Sequence, residues 1–315
     1  MNKTICIYHS RDLDGWMSAA IVKKWFEGRG VKQQIERFDD SISFKGWDYG
    51  DNIPDLKEYD KVTMVDISFP FKNMYSLSKR LDDNFIWIDH HKSSIKENGD
   101  ISIVGYRDTD FAACELTWMY FFGKKESDKM PEIVRLLGRY DCFGHKGTDE
   151  EQKVLEFQYG ARACMSNYDE CYNELQFECN GISPINGILD NGKAIYKYLC
   201  TEAKQTYSKA FDIEFSTPKI AASKGNGEES EGGIFKYRFL CVNQERFNPI
   251  NFGIDYHKDN YDGFACFWYK DGKWNFSLYN DNNKVDCSII AKQYGGGGHK
   301  GAAGFVVKDL KEVFK

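Results

Sequence analysis

Short apolar runs recur through the first half of the chain, each closed by polar residues and followed by a segment with helical spacing of its apolar positions. Residues 4–8 (Thr-Ile-Cys-Ile-Tyr) read as a buried strand and residues 15–27 as an amphipathic helix. Residues 61–65 and 85–88 are further apolar runs of strand length, separated by a predicted helix over 71–81. Helices are expected at 112–122 and 131–140. Alternation of this kind predicts a parallel sheet with helices on both faces.

The rhythm then changes. Residues 141–181 read as mostly helical and charged, and 191–211 as one long helix. Residues 235–240 alternate like a strand. Segments 264–269 and 274–279 flank Lys270-Asp271-Gly272-Lys273, whose Asp-Gly pair is a hairpin signal. A short helix over 288–294 leads into a run of four glycines and a strand beginning near Ala302. Residues 223–233 have the composition of a solvated loop. The predicted fold class is α/β: an N-terminal parallel-sheet domain (1–185), a helical linker (186–212) and a smaller α+β domain (213–315).

Composition adds limits. At 315 residues the chain has room for about two domains of ~150 residues, and its 42% hydrophobic content is ordinary for globular proteins. No run approaches the ~18 apolar residues of a membrane span. The first residues lack the apolar core of a secretory signal, which places the expected location in the cytosol. None of the ten cysteines forms a C-x-x-C pair, so they are read mainly as free thiols acting as small apolar residues. A net charge of −6 argues against a broad grip on long duplex nucleic acid. It does not exclude a small phosphate substrate, because bound divalent ions reverse the local charge of an acidic cleft.

The acids and histidines fall at telling places. The first predicted strand runs into His9, Asp12 and Asp14; the second ends in Asp66; the third ends in Asp89-His90-His91. In an open α/β sheet the C-terminal edge of the strands is where ligands bind. A single Asp there is more often a turn or helix cap, and Asp12 and Asp14 could serve only in that way. Convergence makes the difference: four of the six histidines lie in these segments or beside the glycine run. Carboxylates and imidazoles without thiolates suit manganese, magnesium or iron better than structural zinc.

His9-Ser10-Arg11-Asp12-Leu13-Asp14-Gly15, Asp66, Asp89-His90-His91 and Asp141 resemble the four motifs of the DHH phosphoesterase superfamily. Gly295 to Phe305, with Gly296, Gly297, Gly298 and His299, resembles the signature of the DHH-associated C-terminal domain. The H-x-x-D-x-D-G form is most similar to the nanoRNase-like, oligoribonuclease branch. The resemblance implies that His9, Asp12 and Asp66 hold a first metal, and that Asp14, Asp66, His90 and Asp141 hold a second, with Asp66 shared. Asp108 and Asp110 are alternatives to Asp141. The resemblance further implies that Asp89 supports a histidine, that His91 faces the phosphate, and that Gly296–His299 bind substrate.

Two divalent ions, manganese with magnesium as alternative, would share one water, lower its pKa towards ~7 and direct the hydroxide at phosphorus. The catalytic set is then Asp66, Asp89, His90 and His91. The implied activity is hydrolysis of short single-stranded oligonucleotides to nucleoside 5′-monophosphates. A 3′-phosphoadenosine-5′-phosphate phosphatase, a cyclic or linear dinucleotide phosphodiesterase and a polyphosphate or pyrophosphate hydrolase share the same chemistry. A non-catalytic nucleotide-binding module, or RNA binding by the second domain, are readings of a different class. A small nucleotide is the expected partner, with neither a membrane nor long duplexes, and a homodimer is among the states the sequence allows. One departure stands out: where many relatives carry a substrate-gripping arginine, this chain reads Ser277-Leu278-Tyr279-Asn280, and Arg107 and Lys300 are the candidate substitutes. His145 and His257 match no motif.

Overall fold

The computed structural model describes residues 3–32, 42–123, 130–218, 234–282 and 284–314, so the predicted loop at 223–233 lies outside the described residues. Strands β1 (Thr4–His9), β3 (Lys61–Val65) and β4 (Phe85–Ile88) form where the apolar runs predict them. A further strand, β2 (Ile42–Trp47), joins them. It was hidden in the sequence because exposed Ser43 and Lys45 alternate with half-buried Ile42 and Phe44 at the sheet edge. All four are parallel, in the order β2-β1-β3-β4.

Alternation along each strand builds two cores. Ile5, Ile7, Val62, Met64, Phe85 and Trp87 pack against Met74, Leu77 and Leu81 of α2 (Phe71–Leu81). The intervening Cys6, Tyr8, Val65 and Ile88 meet Ala19 and Val22 of α1 (Leu13–Lys32) and Leu116 of α4 (Ala113–Phe122). The sheet is thus covered on both faces, as a parallel sheet requires. A short helix, α3 (Lys92–Asn98), follows β4 after Asp89-His90-His91.

Outside α1 lies a helical layer made by α5 (Glu132–Asp141), α6 (Glu151–Cys164), α7 (Tyr168–Cys179) and the start of α8 (Ile185–Tyr207). Met17 and Ile21 of α1 share a core there with Ile133, Leu137, Phe157 and Ile188. The chain divides into two compact units between Tyr196 and Lys197, within α8. That helix starts and ends earlier than its apolar spacing predicts, because Phe211 already pairs with Cys241 in a sheet.

The second unit contains a mixed six-stranded sheet, ordered β5 (Phe211–Pro218), β6 (Ile234–Asn243), β7 (Gly263–Lys270), β8 (Lys273–Tyr279), β10 (Ala302–Val307) and β9 (Gly297–Gly298). Only β6 and β7 pair in parallel. Helix α9 (Cys287–Gln293) covers one face through Ile290 and Ala291, against Phe215, Phe239, Phe276 and Phe305. The β7–β8 hairpin turns at Asp271 (φ 53°) and Gly272 (φ 77°), the two left-handed positions that its Asp-Gly pair predicts. No helix among the described residues is long and apolar enough to cross a membrane.

The α6–α8 crossing depends on glycine. A Cβ on Gly160 would collide with the Ile188 carbonyl, and one on Gly192 with the Glu156 carbonyl, whereas a Cβ on Gly187 meets nothing. Gly192→Ala is expected to destabilise the protein by about 1–3 kcal/mol through overpacking, while Gly187→Ala leaves it unchanged or stabilises it by up to ~1 kcal/mol. Urea unfolding of both variants checks the contrast.

Candidate metal centre

The parallel sheet delivers its polar residues to one edge. β1 ends at His9, and the chain enters α1 through Asp12 and Asp14. Asp12 does cap this helix, its Oδ1 accepting from Gly15 N–H at 3.0 Å, but its Oδ2 lies 3.0 Å from His9 Nδ1. Gly15 is required there, since a Cβ would strike the His9 carbonyl. β3 runs directly into Asp66, whose left-handed backbone (φ 60°) is an uncommon state for a residue with a Cβ. Its N–H donates to the Ile88 carbonyl at 2.9 Å, tying it to the end of β4. Asp141 is the last residue of α5.

These side chains converge around Asp66, which is 1% exposed. Its Oδ2 lies 3.4 Å from His9 Nδ1, and its Oδ1 lies 3.4 Å from His90 Nε2. His90 Nε2 is also 3.6 Å from Asp14 Oδ2 and 3.3 Å from Asp141 Oδ2. Among the described residues, neither Asp66 oxygen has a hydrogen-bond partner, nor does His9 Nδ1, although all three are buried. Apart from the 3.0 Å between His9 Nδ1 and Asp12 Oδ2, these separations are longer than the 2.7–3.2 Å of ordinary N–H···O bonds. Two donors that each lie ~2.0–2.2 Å from one ion at tetrahedral or octahedral angles would be about 3.0–3.5 Å apart. The donor set therefore fits divalent cations, with the two oxygens of Asp66 turned towards two different groups of ligands. Within the described residues, three sets of donors lie within 4.8 Å of one another: His9, Asp12 and Asp66; Asp66, His90 and His91; and His90, Asp141 and Cys142.

Comparison with known proteins shows what this fold is similar to. Residues 4–138 match the model of the DHH family, N-terminal domain. The first unit is thus similar to the N-terminal domain of the DHH family. Over 318 aligned residues the chain is 23% identical to the uncharacterized protein R106 of Acanthamoeba polyphaga mimivirus, covering 98% of this chain and 68% of that protein. The fold is similar to that of a pGpG-specific phosphodiesterase, PggH, from Vibrio cholerae (TM-score 0.51, 14% identity, 98% of this chain and 93% of that one). It is similar also to exonuclease RecJ bound to manganese (TM-score 0.50, 13% identity, 98% and 86%).

Within this unit, burial and crowding of acids control protonation. Burial, followed by the charge of Asp66, pushes Asp14 up to about 7, even though its oxygens accept from the N–H groups of Ala113 (2.9 Å) and Cys114 (2.7 Å) at the start of α4. Asp141 rises to about 7 from burial and from Asp14. Burial likewise raises Asp66. Desolvation opposes charge on His9, but Asp12 and Asp66 outweigh it and raise the imidazole to about 10. His90 is carried to about 12 against the same desolvation, chiefly by Asp66. Protons on imidazole thus supply the positive charge in the metal-free protein.

The Asp89-His90-His91 triplet divides its tasks in space. Fully buried Asp89 accepts from His91 N–H (3.0 Å) and from His91 Nδ1 (2.8 Å), and lies 3.3 Å from Trp87 Nε1. It supports His91, not His90. The His91 nitrogen that lies 3.7 Å from Asp66 is Nδ1, already committed to Asp89. On the far side of His90, the Cys142 thiol lies 3.9 Å from Nδ1, a role with no signal in the sequence.

Asp48 was also missed, because β2 was not recognised; it directly follows that strand, the same placement that singles out Asp66. Its Oδ1 is 3.4 Å from His9 Nε2, and its Oδ2 is held by Arg11 Nε at 2.6 Å. Asp108 and Asp110, by contrast, are exposed, and Asp108 is occupied by the Asp110 N–H; Asp141 is the acid that reaches His90. Arg107 is no free phosphate clamp. Its guanidinium donates to the carbonyls of Trp87 (2.9 Å) and Ile103 (2.8 Å).

His145 is 3% exposed, stacks on Tyr140 and bonds the Arg139 carbonyl, a packing role. His257 contacts the Tyr261 carbonyl and Asn282 within the second unit. In that unit Gly297–Gly298 pair with Gly304 and Ala303, and Gly298 (φ 137°) has a backbone state that favours glycine. His299 and Lys300 are exposed beside this turn, while Tyr279 packs half-buried in the core that contains Phe264 and Tyr256.

Two outcomes follow from this geometry. Because His9 and His90 hold protons well above neutrality and Asp14 and Asp141 titrate near 7, metal must displace protons. Apparent manganese affinity should therefore rise with pH between 6 and 8, with proton release visible by calorimetry in buffers of different ionisation enthalpy; a flat affinity would contradict it. Asp48→Asn removes the charge behind His9 and is expected to weaken binding at that site by about tenfold. Calorimetric titration of wild type and variant tests this.

Proposed function

We propose that the protein is a two-metal phosphodiesterase that hydrolyses short oligonucleotides to nucleoside 5′-monophosphates. The observation that carries this reading is Asp66: a buried carboxylate with no hydrogen-bond partner on either oxygen, each oxygen facing a separate cluster of imidazole and carboxylate donors. In this reading His9, Asp12 and Asp66 hold one ion; Asp14, Asp66, His90 and Asp141 hold the other. All are oxygen or imidazole donors, which favours manganese, with magnesium second. When bound, two such ions neutralise phosphate charge and supply an acidic water for attack on phosphorus.

The protein's own groups do the positioning. Asp66 keeps the two donor clusters in register because its backbone is bonded to the end of β4. Asp89 fixes His91 through Nδ1, which leaves Nε2 to meet a phosphate oxygen or the leaving oxygen. Arg11 and Asp48 orient His9. No serine or cysteine nucleophile is required. The glycine turn and His299 of the second unit are assigned to substrate, with backbone N–H groups able to approach an anion closely.

Substrate class draws support from the chemistry named for the proteins of similar fold: a pGpG-specific phosphodiesterase and an exonuclease. The decisive assay compares, with manganese, di- to pentanucleotides, a bisphosphate nucleotide, a cyclic dinucleotide and polyphosphate. Short linear oligonucleotides are expected to be cleaved fastest. Asp66→Ala and His90→Ala are expected to lose turnover by at least ~10³-fold while keeping the wild-type circular dichroism spectrum. Cleavage of polyphosphate alone would overturn the substrate class, and substantial activity in either folded variant would overturn the site.

A further inference from the structure

Beside the candidate metal centre, the first unit contains an open cavity of about 360 Å3. Its walls include Trp47 at the end of β2, Tyr49, Ser68 and Phe69 after β3, and Ser94 and Glu97 on α3. Three of the segments that form the centre therefore also form this cavity. Tyr49 adjoins Asp48, Ser68 is two residues beyond Asp66, and Ser94 is three beyond His91.

The wall is aromatic and held in place. Tyr49 is 51% exposed, so one face of its ring is open to a ligand. It is nevertheless pinned: its hydroxyl bonds the buried Ser94 hydroxyl at 3.1 Å, and its ring lies edge-on to Trp47 (5.7 Å between centroids) and His9 (6.3 Å). The last distance is of the order of that between a nucleobase and its own phosphate. Trp47 and Phe69 are almost fully buried behind it, packed edge to face. A ring already immobilised loses little entropy when a flat ligand stacks on it.

The charge of the lining selects among ligands. Among the described residues, its only ionisable acid–base side chains besides Tyr49 are Asp51 and Glu97, and no lysine, arginine or histidine lines it. An anion is disfavoured there, so the cavity is not a phosphate site. An uncharged ring with N–H donors is favoured. One Glu97 oxygen, Oε1, accepts from Phe71 N–H at 3.1 Å, which orients the carboxylate on the rim. A carboxylate can accept two parallel N–H bonds from one planar partner. Among nucleobases, guanine presents such a donor pair on its Watson–Crick edge, from its ring N–H and exocyclic amino group.

We propose that this cavity is a nucleobase subsite, stacking the base on Tyr49 and selecting guanine through Glu97. It rests on the nucleotide reading of the metal centre and names the part of the substrate that the first unit grips. The arrangement fits a protein in which Arg107 is tied to backbone carbonyls and Tyr279 replaces the expected arginine, because recognition shifts from phosphate to base.

The test uses the full chain with manganese and four linear dinucleotides, pGpG, pApA, pCpC and pUpU, together with an abasic analogue of the same backbone. Wild type is expected to prefer pGpG. In Tyr49→Ala, the ratio of kcat/KM for pGpG to that for the abasic analogue should fall at least about tenfold, the size of a lost base–aromatic stack. Tyr49→Phe should retain most of that ratio, and Glu97→Gln should level the preference among bases. Unchanged ratios in Tyr49→Ala and unchanged base preference in Glu97→Gln, with dinucleotides still cleaved, would overturn the subsite and leave the phosphodiesterase reading intact. If no nucleotide is cleaved, that reading fails alone. Guanosine binding, measured by calorimetry and lost in Tyr49→Ala, would then still support the subsite, and no binding to wild type would overturn it.

Discussion

Everything at the sheet edge depends on gathering carboxylates into a space where they cannot all be charged without a cation. Asp14, Asp66 and Asp141 approach one imidazole nitrogen from three elements, and Asp12, at the start of the helix that carries Asp14, approaches Asp66 through His9. Like charges in a buried site raise one another's affinity for protons, and burial adds to the effect. Two solutions exist. Protons can occupy the histidines and acids, or divalent ions can replace them. The unpartnered oxygens of Asp66 make the first solution incomplete, since a buried acceptor without a donor is costly.

The fold tolerates this concentration of charge because it is confined to one edge of a well-packed sheet. Behind Asp66 lie Met64 and Val62, and behind Asp89 lies Trp87, all buried. Trp87 also carries polar duties: its indole N–H is shared between the Ile67 carbonyl and Asp89, and Arg107 lies over its ring. Support for the centre therefore passes into the core through specific hydrogen bonds. The start of α4 contributes in the same way, its Ala113 and Cys114 N–H groups stabilising Asp14 where a helix N-terminus favours negative charge.

Much of this was legible in the chain. Strands with apolar residues on both faces leave continuous runs such as Ile5–Ile7 and Phe85–Ile88, and those runs located β1, β3 and β4. The acids and histidines that follow were then recognisable as a sheet-edge constellation. β2 was not legible, because an edge strand buries only part of itself and exposes Ser43 and Lys45. Missing it concealed Asp48, Tyr49 and the cavity that they border. The end of α8 was misjudged for a related reason: Phe211 continues an apolar spacing, yet strand pairing captures it.

By itself, then, the sequence determined the α/β class, the hairpin at Asp271-Gly272 and the set of acids and histidines at three strand ends. These depend on local periodicity and turn chemistry, which the order of residues encodes directly. Tertiary structure alone decided which acid joins His90, because Asp141 and Asp108 differ only in what the folded chain brings near them. It alone showed that Asp89 serves His91, that Cys142 stands behind His90, and that Arg107 is spent on backbone carbonyls. Those partners are distant in sequence, or ambiguous among neighbours, and only packing fixes the distances and directions that separate a ligand from its support.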